Sequence, residues 1–371
     1  MIYNNDTRTV LTLDAGGTNF VFSAIKGNKQ VAEPISLPSN GGNLELCLQT
    51  IVNGFNLIKK KLNNNASAIS FAFPGPADFP NGIIGDLHNL PAFRGGIPLG
   101  GILEEYFKIP VFINNDGDLY AYGEALAGYL PSINQKMEEK GFEKRFKNLL
   151  GITLGTGFGA GIVRNGELFL GDNSAAAEVW LLRNRINPNT NAEEGISIRA
   201  IKRVYSEASG IEAEKCPEPK DIYEIGMGIK TGNQEAAIEA FRQMAVVLGD
   251  VIANVLTLTD GIAVIGGGLA GAKTLILPHL LKEMRSSYTN YKGTTYPRLA
   301  QTICNLEDPD ELQVFLKGET KRIQIPGTQR FQNYDTMKRL GIGFSSIGTS
   351  WAIALGAYNF ALNQLDKTKV L

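Results

Sequence analysis

The sequence predicts an α/β protein built from two units that repeat one scheme, with a ligand cleft between the copies. Three observations predict it. An apolar run that stops at glycines, LTLDAGGTN (Leu11 to Asn19), opens the chain, and a second of the same design, GITLGTGFGAG (Gly151 to Gly161), restarts it. Between them an Asn-Asp pair, Asn115-Asp116, directly follows a third strand-like run. A β-type run ending in glycines leaves backbone N–H groups in a tight bend that no side chain shields, where an anion can settle. Two such turns flanking a carboxylate suggest facing loops that hold the phosphates of one nucleotide.

The elements follow in order. Strand signals at Val10 to Leu13, at Phe20 to Lys26 ending in Gly27-Asn28, and near Val31 form a meander whose first hairpin carries the glycine loop. From Asn43 to Leu62 the residues Leu44, Cys47, Leu48, Ile51, Phe55 and Ile58 recur at helical spacing, and Asn63 to Asn65 close the helix. A strand at Ala68 to Phe73 stops at Pro74-Gly75-Pro76, a loop-rich stretch runs to Gly101, and a short helix around Ile102 to Phe107 leads to the strand Val111 to Asn114. Past Asp116 a helical stretch, Leu119 to Leu130, meets the charged segment Lys136 to Lys147, which reads as a solvated surface insertion.

The strand Leu149 to Leu154 restarts the scheme, with a hairpin turning at Arg164-Asn165-Gly166. Helices fill the region from about Ile196 to Leu258, and a strand at Gly261 to Ile265 ends in Gly266-Gly267-Gly268. Tyr288 to Phe344 has weak periodicity and is assigned to strands and surface loops. Ser350 to Leu365 is apolar on nearly every face, with small residues at Ala352, Ala354, Gly356 and Ala357, and predicts a buried closing helix. The expected division is an N-terminal α/β domain over 1–117 and a C-terminal one over 118–371, with the last helix packing back on the first domain.

Composition narrows the function classes. The 371 residues exceed one comfortable core, and 43% hydrophobic with 20% charged residues describes a globular protein. A formal charge of −1 gives no electrostatic reason to expect nucleic acid or a membrane surface. Cys47, Cys216 and Cys304 are far apart and lack CxxC spacing, which argues against a disulfide framework and a cysteine zinc cluster. No leader-like start and no apolar run of membrane-spanning length is present, so a cytoplasmic location is expected.

The first loop offers Gly16, Gly17, Thr18 and Asn19 as phosphate contacts, with Asp14 placed to hold a water on Mg²⁺; it fits a plain glycine hairpin equally well. The second offers Gly155, Thr156 and Gly157. It is neither a P-loop nor a dinucleotide fingerprint, because no GxxxxGK[ST] occurs and Ala160 stands where GxGxxG needs its last glycine. Asp116, after a strand of an open sheet, has the position and chemistry to take the proton of an alcohol that attacks a phosphoryl group. Asn115-Asp116 also suits a helix N-cap, and the two roles are compatible. Glu178 and Glu193 are carboxylates able to accept from sugar hydroxyls, although acidic residues on solvated loops are common. His88 and His279 have no partner motif and read as structural or surface residues.

Taken together and in order, DAGGTN, FPGPAD (Phe73 to Asp78), HNLP (His88 to Pro91), NND, LGTGFGAG, the Glu178 segment and VIGGGLA resemble the ROK family of sugar kinases and sugar-responsive repressors. The resemblance implies two ribonuclease H-like domains of the actin, hexokinase and Hsp70 superfamily around a nucleotide and sugar cleft. It implies that Asp14, Gly16 to Asn19 and Gly155 to Gly157 bind the phosphates of ATP, and that Gly266, Gly267 and Gly268 lie near the nucleoside. Asp116 is then the base, while Asn115, Asn89, Glu178 and Glu193 are sugar ligands, and Gly75 and Pro76 border the sugar.

Two departures stand out. The histidine of the family's GEIGH segment falls on Leu181, and its CxCGxxGC cluster is missing, so zinc is not expected. No DNA-binding module precedes the first loop, which favours the kinase branch over the repressors. The expectation is an ATP- and Mg²⁺-dependent hexose kinase, with glucose as the leading substrate and a homodimeric assembly. A fructokinase, an N-acetyl-amino-sugar kinase and a sugar-binding sensor without turnover are the alternatives.

Overall fold

The computed structural model describes residues 3–87 and 90–368. The chain opens with strands β1 (Val10–Ala15), β2 (Asn19–Lys26), β3 (Lys29–Gln30) and β4 (Ile35–Pro38), followed by helix α1 (Leu44–Lys61). Then come β5 (Ala68–Ala72), the small pair β6 (Ala77–Asp78) and β7 (Ile83–Ile84), α2 (Leu99–Phe107), β8 (Val111–Asn114), α3 (Asp116–Leu126) and α4 (Tyr129–Glu139). The sheet order is β3-β2-β1-β5-β8, with β4 also pairing β2; β1, β5 and β8 run parallel. The β2–β3 hairpin turns through Gly27 and Asn28, both at φ 57°, the left-handed pair that a two-residue turn demands.

The restart supplies β9 (Leu149–Leu154), β10 (Phe158–Arg164) and β11 (Glu167–Leu168), whose hairpin turns through Asn165 and Gly166, again both left-handed. Helices α5 (Glu193–Ile196), α6 (Ile198–Ser209), α7 (Pro219–Gly226) and α8 (Gln234–Thr259) precede β12 (Ile262–Gly266) and α9 (Lys273–Met284). The hairpin β13 (Ser287–Thr289) and β14 (Thr295–Pro297), strand β15 (Thr302–Asn305), helix α10 (Pro309–Lys317), hairpin β16 (Thr320–Gln324) and β17 (Phe331–Asp335), strand β18 (Arg339–Phe344) and helix α11 (Thr349–Thr368) complete the fold. The second sheet reads β11-β10-β9-β12-β18-β15, so a meander followed by parallel strands recurs as the sequence implied.

Two compact units result. One comprises Met1–Pro131, Gly161–Ala177 and Ser346–Leu371, the other Ser132–Ala160 and Glu178–Ser345. The division therefore does not fall at residue 117. Helix α3, the segment 161–177 and α11 count with the first unit, because the helical layer over its sheet is formed by α3 and α11.

In the first unit, α1 is capped by Asn43, whose Oδ1 accepts from Leu46 N at 3.1 Å, and it ends in three lysines that suit the negative end of its dipole. Its Phe55 meets Phe22 edge-to-face at 5.2 Å and Phe71 at 5.8 Å. On the other face of the sheet α3 and α11 approach through glycines. A Cβ on Gly123 would lie 1.9 Å from Ala352 O, and one on Gly356 would lie 1.9 Å from Leu119 O. In the second unit α8, long and apolar enough by composition to span a membrane, is a core helix packed on α6, α7 and α9.

Two sequence expectations need correction. The segment Lys136 to Lys147 is not merely a solvated insertion: α4 runs through it to Glu139 with Met137 fully buried, and Phe146 stacks on Phe315 at 4.6 Å beneath the Arg339 guanidinium. Its charges mask an inward side. The stretch from Tyr288 to Phe344 contains β18, a central strand with every residue buried, and the capped helix α10. A strand covered on both faces shows no alternation, and Gly341 is small because its Cβ would lie 2.5 Å from a Leu306 methyl.

Candidate active site

Parallel strands β1, β5 and β8 bring their carboxyl ends side by side in the first unit, the place where open α/β sheets present ligand groups. Asp14 and the loop Gly16 to Asn19 lie at the end of β1, Gly75 and Pro76 lie just beyond β5 across a cis peptide bond, and Asn115-Asp116 follow β8. Gly16 has no room for a side chain, since a Cβ would meet Asn19 O at 2.8 Å, whereas Gly17 faces open space. Asn115 caps α3, its Oδ1 accepting from Gly117 N at 2.8 Å, and Asp116 Oδ1 accepts from the same N–H at 2.9 Å. The helix therefore starts at Asp116 rather than Leu119, and the cap aims the Asp116 carboxylate from the N-terminal end of α3.

Asp116 is open to solvent at contact range but crowded by protein further out. Burial raises its carboxyl pKa above the ordinary value, the Gly117 N–H pulls the other way, and the nearby Asp14 carboxylate pushes it further up. Burial also raises Asp14. Two neighbouring carboxylates that both resist ionisation form an environment that favours a cation.

Sequence reasoning missed what holds the first loop. Ser39, 3% exposed, donates its hydroxyl to Gly17 O at 2.6 Å and its N–H to Thr18 O at 2.9 Å. No local pattern marks this serine, which comes from the far end of β4. Ser39→Ala should loosen the loop by about one hydrogen bond, roughly 1 kcal/mol. Expected is an approximately fivefold rise in the KM for ATP with the sugar KM unchanged, measured by steady-state kinetics; equal changes in both constants would contradict this role.

In the second unit the turn Gly155 to Gly157 closes with Gly155 N donating to Gly157 O at 3.0 Å. Glu193 sits against this turn: its Oε2 accepts from Phe158 N at 2.9 Å, and a Cβ on Gly157 would lie 2.9 Å from the same oxygen. Arg199 holds the other oxygen, Oε1, at 2.7 Å, and Ile198 N donates to Gly155 O. Glu193 is thus tied to the second glycine loop, a link that becomes visible only when α5 is folded beside β10. Gly266 pairs in register with Thr153, and Gly267, at φ 90°, runs so close to β9 that a Cβ would lie 2.2 Å from Leu154 O. Gly268 faces open space. The second and third glycine clusters are therefore adjacent strand ends.

Glu178 is exposed and takes a hydrogen bond from the Trp180 indole, and Leu181 is 59% exposed. Its segment is joined to that of Glu193 by Ala192 N donating to Leu182 O at 2.7 Å and by a bridge between Arg183 and Asn191. His88 and Asn89 lie outside the described residues. His279 is partly buried, with its pKa lowered chiefly by that burial. Among the described residues no group of three or more His, Cys, Asp or Glu side chains is placed to hold a metal ion.

The ROK family profile matches residues 10–303. The chain belongs to the ROK family. It is 53% identical to a glucokinase from Parabacteroides distasonis, whose crystal structure superposes with a TM-score of 0.90 over 98% of this chain and 99% of that one. A glucokinase from Halalkalibacterium halodurans is 27% identical over 324 residues, 79% of this chain and 88% of the relative. An N-acetyl-D-glucosamine kinase from Vibrio parahaemolyticus is 27% identical over 268 residues, 69% of this chain and 83% of the relative. The actin-like ATPase fold expected from the motifs is the fold of these kinases.

Proposed function

We propose that this ROK protein is a sugar kinase that transfers the γ-phosphoryl group of ATP to a hexose hydroxyl, with the 6-hydroxyl of glucose as acceptor. The observation that carries the reading is Asp116. A carboxylate held by an N-cap at the carboxyl end of a parallel strand, with a raised pKa and a glycine loop beside it, is a general base next to an anion site. The 53% identical glucokinase supports glucose over the amino sugars that the Vibrio relative's name indicates.

In this reading Asp116 takes the proton from the sugar hydroxyl as the oxygen attacks in line, a step typically contributing 10²- to 10⁴-fold. Asn115, Asn89, Glu178 and Glu193 hold the sugar hydroxyls, and Gly75 and Pro76 border the ring. The Glu193 carboxylate keeps acceptor capacity after binding Phe158 N and Arg199, since two carboxylate oxygens offer about four lone-pair sites. The loops Gly16, Gly17, Thr18 and Asn19, and Gly155, Thr156 and Gly157, whose turn is closed by the Gly155 N–H, hold the phosphates and neutralise their charge, while Gly266, Gly267 and Gly268 admit the nucleoside. Asp14 fits a water-mediated hold on Mg²⁺, because its open carboxylate sits in surroundings that disfavour its ionised form without a cation. When bound, Mg²⁺ neutralises charge on the β- and γ-phosphates. A homodimer in the cytoplasm completes the proposal.

The pKa shift carries a sign. Asp116 must be ionised to act, so kcat should fall as pH drops through a value above the ordinary aspartate range of about 3.9. Asp14→Asn removes a neighbouring negative charge and should move that acid limb to lower pH, whatever its effect on the absolute rate. A kcat–pH profile in which the limb stays put or rises would contradict the coupling of the two carboxylates.

A coupled ADP assay across glucose, mannose, fructose and N-acetylglucosamine tests the substrate. Glucose should give the highest kcat/KM. A profile led by N-acetylglucosamine or fructose would move the assignment to that sugar.

A further inference from the structure

From 181 to 189 every residue is exposed except Asn184, which is 3% exposed. The run turns Leu181, Leu182 and Ile186 outward and places an amide inside. A buried polar side chain in an exposed loop reverses ordinary core packing and marks a hydrogen-bonding task. Asn184 Oδ1 accepts from Ile186 N at 2.9 Å and from Asn187 N at 3.1 Å, while Asn184 N donates to Thr190 O at 3.0 Å. One residue thus folds the loop over itself, as asparagine does where its side chain takes over the bonds of a backbone turn. The loop returns to Ala192, directly before Glu193, and Ala192 N donating to Leu182 O joins its ends.

The same amide bears on α5. A Cβ on Gly195 would lie 2.8 Å from Asn184 Nδ2 and 2.9 Å from a Val247 methyl, so α5 sits in direct contact with the loop and with α8. Asn191, at the far end of the loop, accepts from Glu194 N at 3.2 Å through Oδ1. Helix α5 is a single turn, too short to hold its place by its own hydrogen bonds. What seats Gly195 therefore also aims Glu193, whose Oε2 has to reach Phe158 N.

We infer that Asn184 is a positioning residue for the sugar: its carboxamide oxygen shapes the 182–192 loop, the loop seats α5, and α5 holds the Glu193 carboxylate at the angle from which it binds a sugar hydroxyl. This role rests on Glu193 being a sugar ligand of the kinase. The phosphate loop keeps supports of its own, because Gly155 N bonds Gly157 O and Gly155 O receives Ile198 N from α6.

Steady-state kinetics and calorimetric titration with glucose and N-acetylglucosamine, on the full chain and its variants, test the role. Asn184→Leu keeps about the size of the side chain and removes the acceptor; Ile186 and Asn187 are exposed, so water can replace it and the chain stays folded. Asn184→Asp restores the accepting oxygen. Arg185→Gln frees a half-exposed ion pair to Glu283, at 3.2 Å, on the same loop and is the control. Asn184→Leu loses the bonds from Ile186 N and Asn187 N, so the sugar KM and dissociation constant should rise roughly tenfold, with kcat and the ATP KM within about twofold of wild type. Asn184→Asp should recover to within about threefold of wild type, and Arg185→Gln should stay within about twofold. An unchanged sugar affinity in Asn184→Leu, or one lowered equally in Arg185→Gln, would overturn the role of Asn184 and leave the kinase reading intact. Sugar binding to wild type without ADP formation would overturn the kinase reading instead, and the ratio of dissociation constants still decides the role of Asn184. Failure of wild type to bind either sugar would overturn both.

Discussion

Asp116→Asn should lower kcat at least about a hundredfold while the sugar dissociation constant changes little. The substitution keeps the side-chain oxygen that accepts from Gly117 N, so the start of α3 survives, and it removes only the capacity to take a proton. Stability should respond in the opposite sense. Burial and the Asp14 charge raise the Asp116 pKa in the folded chain, so its contribution to stability is fully present below the unfolded value and is lost as pH rises through the folded one. At pH 7 the ionised group works against folding, and Asp116→Asn should melt no lower than wild type. The stability difference should vanish as the pH approaches the ordinary aspartate range. Single-turnover kinetics and thermal melts at several pH values check both halves. Wild-type turnover would remove Asp116 from the chemistry, and a much lower Tm at pH 7 would show that its role is structural.

Gly356→Ala should destabilise the first unit by about 3 kcal/mol or more, a Tm loss of roughly 6 °C or more for a unit of this size. Its Cβ would sit 1.9 Å from Leu119 O and 2.7 Å from Leu119 C, both backbone atoms of α3 that no rotamer change can move. The helices would have to separate, and the reciprocal contact of Gly123 with Ala352 O would open with them. Because α3 begins at Asp116, activity should fall before the chain unfolds. Gly271→Ala is the control: its Cβ would meet nothing within 4 Å, and its Tm should hardly move. Equal melting of the two variants would contradict the close helix approach.

Much of the fold was legible because local chemistry and tertiary need coincide. The Gly27-Asn28 and Asn165-Gly166 turns, the period of α1 and the glycine ends of β1, β9 and β12 each mark their structure within a few residues. The strand β18 was not legible, since a strand buried on both faces loses the alternation that distinguishes it from a loop rich in glycine. Asp14, Asn115 and Asp116 could be placed at the ends of β1 and β8 from the sequence, because a carboxylate or amide closing an apolar run is itself the signal. Ser39 and the tie from Glu193 to Phe158 were not, because each spans elements that only folding brings together. The same reason hid the inner side of the 136–147 segment, where Phe146 stacks on a ring more than a hundred residues away.

The central claim, phosphoryl transfer from ATP to glucose with Asp116 as base, is tested most directly by following ATP, Mg²⁺, glucose and the protein by phosphorus NMR. The account predicts ADP and a hexose 6-phosphomonoester rising in equal amounts with wild type, and neither at a comparable rate with Asp116→Asn. Glucose-dependent thermal stabilisation without any phosphomonoester would contradict it and identify a sugar sensor in place of a kinase.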